Sequence, residues 1–276
     1  MKSLLRLISV WICLYCIVSY INANETESFL KEVTHTDTVY LQEKGEIEIT
    51  TSPNFTYSDN ENLFIIPLEI EYGISDKWEA ELEWETFILE NTDAGDSTSG
   101  AGDLIIGTQY SFLNINGSDF HIAPGLELHF PTADIDKELT DGFIIYKPYL
   151  FLAQDIPEWN FAQLFTQFGI EILDRIKKPD EEEYQPVKAH ELNLDIGFII
   201  PVKEIIMSLE FNWENNKWNN NGDKNEIYLT PGLFWELADL WELSIELPVG
   251  INEDAEDYQV IITITYEFDF FDKGKE

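Results

Sequence analysis

The chain has 276 residues, 44% of them apolar and 14% aromatic, so it holds enough greasy surface to fold and is no disordered acidic polymer. It carries 53 acidic against 16 basic residues, a formal charge of −37, which excludes nucleic acid as a partner because phosphate binding draws on Lys and Arg. The same charge opposes adsorption to an anionic bilayer surface, so the acids must meet water, inside the fold or outside it.

The chain opens on Lys2 and Arg6, then an almost unbroken apolar run from Leu7 to Ile17, then small or polar residues at Ala23, Asn24 and Glu25. That is the layout of a secretory signal, with residues 1–23 cleaved after Ala23. The run is short for a helix that must cross a hydrocarbon core ~30 Å thick. Both cysteines, Cys13 and Cys16, fall within it, and Tyr15 stands where a lipoprotein signal needs a small residue. The exported chain is therefore expected to form no disulfide and no Cys-based metal site. Residues 24–44 are polar and read as a flexible periplasmic leader, and 271–276 as a charged tail.

Between them, 45–270 reads as one unit that alternates with period two. In Trp78-Glu79-Ala80-Glu81-Leu82-Glu83-Trp84-Glu85 the glutamates take one face and the apolar residues the other. A helix would scatter them, whereas a strand separates them. The rhythm recurs in Ile66 to Tyr72, Leu192 to Phe198, Met207 to Trp213 and Tyr258 to Phe270. About twelve strands follow, roughly at 45–57, 63–74, 78–88, 102–113, 119–131, 144–154, 161–173, 188–200, 204–214, 226–237, 241–250 and 257–270. Most are long beside the usual five or six residues of soluble proteins, and about nine to eleven suffice for a tilted strand to cross a bilayer.

Tight turns at Ser75-Asp76-Lys77, Asn114-Ile115-Asn116-Gly117, Val202-Lys203 and Ala238-Asp239-Leu240 alternate with longer joins near 89–101, 132–143, 174–187, 215–225 and 251–256. Outer-membrane barrels show this asymmetry. The soluble alternative, a sandwich or lipocalin-like periplasmic binding barrel, would turn its apolar faces inward. It would also mix charge signs on its surface, whereas here the polar faces carry Asp and Glu and almost no Lys. Trp78 and Trp241 follow short turns while Trp84 and Trp213 lie toward the opposite ends, as in two aromatic girdles. The fold class is thus read as all-β, a single antiparallel up-and-down transmembrane β-barrel.

The run Gly100-Ala101-Gly102-Asp103-Leu104-Ile105-Ile106-Gly107-Thr108-Gln109-Tyr110 resembles a strand opening of outer-membrane proteins tied to the meta-pathway of phenol degradation. Ala123-Pro124-Gly125-Leu126-Glu127-Leu128-His129-Phe130-Pro131-Thr132 is similar to a strand exit of that family, and Lys147-Pro148-Tyr149-Leu150 and Glu246-Leu247-Pro248-Val249-Gly250 fit as well. The resemblance spans about residues 45 to 270 and implies a transporter of small solutes in the outer membrane. The closing Tyr266-Glu267-Phe268-Asp269-Phe270 resembles the signal read by barrel-assembly machinery, although six residues follow it. Outer-membrane lipid and lipopolysaccharide are the other expected partners. Gly102, Gly107, Gly125 and Gly169 are expected to leave room on the lumen side, and Pro67, Pro124, Pro148 and Pro231 to sit near strand ends or bulges.

Projected inward, the alternation gives a lumen lined by Glu69, Glu71, Glu79, Glu81, Glu83, Glu85, Glu127, Glu191, Asp195, Glu210, Glu242 and Glu246, with Glu46 and Glu48 besides. His129 and Lys147 are the expected cationic partners. Such a lining concentrates cations and disfavours anions, so a passive channel for cationic or neutral solutes is expected, with a plugged, non-transporting barrel as the alternative. His35, His121, His129 and His190 fall in no Ser-containing triad motif, and no enzyme and no cofactor are expected. Asp93, Asp96 and Asp103, or Asp180 to Glu183, could gather Ca²⁺, but their spacing matches no EF-hand, and no metal site is assigned.

Overall fold

The computed structural model describes residues 32–33, 36–58, 61–92, 97–140, 142–175, 190–202, 205–215, 224–238 and 240–269. The expected export segment, Asp93, Asp96, Asp180 to Glu183 and the tail 271–276 lie outside them. No helix among the described residues is long and apolar enough to cross a membrane.

Twelve antiparallel strands close into a barrel. They are β1 (Glu46–Thr51 continuing as Asn54–Tyr57), β2 (Glu61–Ser75), β3 (Trp78–Thr92), β4 (Ser97–Gly100 continuing as Leu104–Tyr110), β5 (Phe120–Phe130) and β6 (Phe143–Ile156). The second half comprises β7 (Ala162–Arg175), β8 (His190–Val202), β9 (Ile205–Asn215), β10 (Asn225–Ala238), β11 (Trp241–Glu246 continuing as Val249–Gly250) and β12 (Tyr258–Asp269). Each strand pairs with its sequence neighbour. The seam closes where β12 meets β1, Glu267 facing Glu48 and Tyr258 facing Tyr57. A short hairpin, Glu32–Val33 with Thr36–Asp37, precedes the barrel.

The two faces of each strand separate by chemistry. On β3, Trp78, Leu82 and Trp84 are 41–44% exposed while Glu79 between them is 5% exposed. Leu68, Ile70 and Tyr72 of β2 are likewise exposed around buried Glu71. The barrel is therefore apolar on its outer surface and polar within, the inverse of a soluble sandwich. Near the short turns an aromatic band runs round the outside: Tyr110 packs on Phe112 at 4.9 Å, and Trp241 on Tyr266 at 4.6 Å between ring centroids. Trp84, the seventh of the fifteen residues of β3, is exposed near mid-strand rather than at the other end, and Trp213 donates its indole N–H to Asn225 Oδ1 at 2.7 Å.

Three local departures have physical causes. β2 and β3 extend to 15 residues each, and β4 begins at Ser97, so most of the expected join at 89–101 is strand. A bulge opposite Pro67 inserts Thr86 and shifts the alternation, which leaves Phe87 exposed and Ile88 buried; the simple period-two pattern ends there although the ladder does not. Pro67 sits at that bulge as expected. Pro124, Pro148 and Pro231 sit inside strands rather than at their ends, but each falls at a gap in a ladder. The pairing of β6 with β7 skips Lys147 and Pro148, that of β10 with β11 skips Pro231, and that of β4 with β5 breaks beside Pro124. A missing N–H costs nothing where no partner awaits it.

Glycine placement follows inner packing. A Cβ on Gly125 would lie 2.1 Å from the ring of Tyr149, its cross-strand neighbour, and one on Gly197 would lie 2.1 Å from the ring of Phe165. These rings fill the interior because the residue opposite has no side chain. Phe151 and Phe165 stack at 5.5 Å within an inner apolar cluster that includes Ala123, Ile199, Ile206 and Phe234. Replacing Phe151 by Ala should cost about 3–5 kcal/mol, seen as a lower urea midpoint for the refolded barrel with its tryptophan emission maximum unchanged; an unaltered midpoint would show that the cluster does not contribute to stability.

Candidate functional site: the barrel interior

The interior is built from the inward residues of all twelve strands, and every expected lining residue can be placed. Glu71, Glu79, Asp195, Glu210 and Glu246 are buried. Glu69, Glu81, Glu83, Glu85, Glu127, His129, Lys147, Glu191 and Glu242 are half-buried, and Glu46 and Glu48 are buried at the start of β1.

Three groupings stand out. Glu127 accepts from Lys147 Nζ at 3.2 Å and from His129 Nε2 at 3.0 Å. Lys147 reaches it directly across the β5–β6 pair, and His129 lies two residues along the same face. Carboxylate oxygens of Glu69, Glu71 and Glu81 lie within 4.8 Å of one another. Across the barrel, Asn212 Nδ2 donates to Asp195 Oδ1 at 2.9 Å and lies 3.4 Å from Glu210 Oε2, while Thr230 donates to Asn212 Oδ1 at 2.8 Å. Glu191 is paired in register with Glu171.

The interior is also more occupied than an acid-lined tube. Residues 24–44 read as a flexible leader, but 38–43 fold into the barrel mouth at the short-turn end. Thr38, Val39 and Gln42 are almost fully buried. Val39 enters the apolar cluster around Phe151 and Phe165. Gln42 donates through Nε2 to Glu48 Oε2 at 2.8 Å and Glu71 Oε2 at 2.9 Å, and its backbone N–H donates to Glu79 Oε2 at 3.0 Å. Gln109 Nε2 donates to the Thr38 carbonyl at 2.6 Å, and Ser111 donates to that of Val39. A flexible segment would leave three buried carboxylates without these donors; that is the physical reason the segment is held.

Tyr40 fastens it on the opposite wall. Its hydroxyl donates to Asp155 Oδ2, which also faces His121 Nε2 at 3.0 Å, while Gln163 Nε2 donates to Asp155 Oδ1 at 2.8 Å. The backbone N–H of Asn114 donates to His121 Nδ1 at 3.1 Å, which leaves the ring proton on Nε2, toward Asp155. Burial and the Asp155 hydrogen bond hold the Tyr40 phenol well above its ordinary range, so it remains a donor. None of Tyr40, Gln42, His121 or Asp155 figured in the expected lining. The polar composition of this stretch carried no signal of its seating.

At the other end, residues 131–140 turn inward. Ala133 and Leu139 bury against Ile88, with Leu63 and Ile65 packed beside them. Asp103 fixes this loop by accepting from the Ala133 N–H at 3.0 Å and the Thr140 hydroxyl at 2.8 Å. Between the two closures lies a cavity of about 290 Å³.

No family model matches the chain, and no curated protein matches it. Among solved structures it is similar to an outer membrane channel from Pseudomonas putida F1, at 12% identity and a TM-score of 0.65, over 86% of this chain and 100% of that one. It is also similar to the NanC porin, at 10% identity and a TM-score of 0.57 over 79% of this chain and 98% of that one. The KdgM porin in complex with disordered oligogalacturonate matches at 12% identity and a TM-score of 0.51, over 81% of this chain and 99% of that one. The likeness is one of fold: this chain's closed twelve-stranded barrel resembles barrels of the outer membrane.

Gly73 tests the seating of the N-terminal segment, because a Cβ there would lie 1.9 Å from the Glu43 carbonyl oxygen. Gly73→Val should leave the barrel folded and heat-modifiable on gels while a protease nicks residues 36–44 in the variant only. Equal protection of both proteins would overturn this seating.

Proposed function

We propose that this chain is a passive channel of the bacterial outer membrane for small cationic or neutral solutes, delivered by a cleaved signal and inserted by the barrel-assembly machinery among lipopolysaccharide and lipid. The single observation that carries the reading is the inverted polarity of the closed barrel: exposed Trp78, Leu82 and Trp84 outside, buried Glu71, Glu79, Glu210 and Glu246 inside. Lipid leaves no sheet edge or backbone polar group unpaired, and a closed barrel meets that demand. An acidic interior attracts cations and repels anions. The resemblance to the meta-pathway family rests on Gly100 to Tyr110 and Ala123 to Thr132 and supports the same reading without naming a solute.

A second reading, a barrel that conducts nothing, is favoured by the seating of residues 38–43 in one mouth and of 131–140 in the other. The two are separable. In a planar bilayer with a salt gradient the channel reading expects cation-selective reversal potentials, and a larger conductance after deletion of 36–44. Anion selectivity would end the acid-lumen assignment, and silence in both proteins would favour the closed barrel. If the outer belt meets hydrocarbon, Leu82→Arg should cost about 2–4 kcal/mol of folding stability in lipid, measured as a lower denaturant midpoint in vesicles, and little in a soluble setting.

A further inference from the structure

The inner face of β6, β7 and β8 carries a patch whose layout can be read from strand register. Phe151, Gln167 and Asp195 form one row, and Tyr149, Gly169 and Asn193 form the row beside it. Gly169 leaves one place in this patch without a side chain, and no neighbour fills it. A Cβ on Gly169 would meet no atom beyond its chain neighbours closer than 3.8 Å, whereas Gly125 and Gly197 are covered by the rings of Tyr149 and Phe165. Two acceptors border the opening. Gln167 is 4% exposed, and its Oε1 meets no donor among the described residues; nor does Asn193 Oδ1. The two are diagonal neighbours on adjacent strands, ~7–8 Å apart at the backbone and within reach of one small molecule. The charged groups nearby are already engaged. Asp195 Oδ1 accepts from Asn212 Nδ2 at 2.9 Å, and Lys147, whose Cε lies 4.0 Å from the Gly169 Cβ position, reaches Glu127 at 3.2 Å.

The geometry points to a subsite for a small uncharged polyol, seated over Gly169 with hydroxyls donating to Gln167 Oε1 and Asn193 Oδ1 and its carbon skeleton toward Phe151 and Tyr149. Buried amides are ordinarily paired, so two idle acceptors beside an unfilled place call for donors that the chain does not supply. A hydroxyl group both donates and accepts, and it satisfies these amides without bringing a charge. An ammonium over Gly169 would stand beside Lys147, and a carboxylate would stand beside Asp195; like charges repel at such range. A zwitterion would find both groups already taken by partners in the wall. Water offers the same donors without the skeleton, and a direct binding measurement separates the two.

This inference rests on the channel reading for neutral solutes and names a class within it. The test is saturation-transfer NMR of the full-length refolded protein with xylitol, 1,5-diaminopentane, glutarate and 5-aminopentanoate, which share a five-carbon frame. Transfer to xylitol is expected to be the strongest of the four. Gln167→Leu should weaken xylitol binding about tenfold, the worth of one hydrogen bond to a buried acceptor. Gly169→Val fills the opening, where its Cβ meets no clash, and should abolish transfer while the barrel stays heat-modifiable on gels. Thr263→Val, on β12, should change nothing. Stronger transfer to any of the charged compounds, or xylitol transfer that survives both Gln167→Leu and Gly169→Val, would overturn the subsite. Absence of transfer to xylitol in the unaltered protein would assign the two amides to water and overturn it as well. Cation-selective conductance without xylitol binding would remove this subsite alone, whereas anion selectivity would remove the reading beneath it.

Discussion

A β-sheet leaves a row of unpaired N–H and C=O groups on each edge strand, and in an apolar medium each such group costs several kcal/mol. The pairing of β12 with β1 removes both edges at once. Everything else in this protein depends on that seam. Once the sheet is closed, its alternating side chains have only two destinations, out or in, and the period-two sequence sends tryptophan and leucine one way and glutamate the other. An acidic chain of this kind would be a poor soluble sandwich, because its carboxylates would crowd one surface without balancing cations. As a barrel it gathers them around a small interior space.

Crowding carboxylates together creates its own demand for donors. The protein meets it partly with its own chain: Gln42 and the backbone around it serve Glu48, Glu71 and Glu79, and Tyr40 serves Asp155. Lys147 and His129 serve Glu127. Around the central cavity, Glu85 likewise accepts from the Asp103 N–H and Glu246 from the Ser244 hydroxyl.

The architecture was legible in the residues because alternation over ten or more positions has no other explanation, and because short and long joins mark the two ends. The inward projection of Glu79 or Glu246 needed no more than that rule. The seating of residues 38–43 was not legible: polar composition suggested solvent, and only the three-dimensional convergence of buried acids reveals why Gln42 is wanted there. The inward loop at 131–140 was hidden for a similar reason, since Ala133 and Leu139 are unremarkable in sequence and gain meaning only opposite Ile88. The extension of β3 from residue 88 to Thr92 was masked by the extra residue at Thr86, which reverses the parity of the pattern.

The seam also governs time. Thr50 and Thr265, whose hydroxyls meet across it, are 215 positions apart, and contacts of such range form slowly because a long loop must close before any of them is gained. No partial chain can seal the cylinder, so an unfinished molecule carries two sticky borders until its last strand arrives. Synthesis order then makes the first strand wait longest, and a chaperone that shields Glu46 to Tyr57 until the end would serve this molecule better than one that guards its middle.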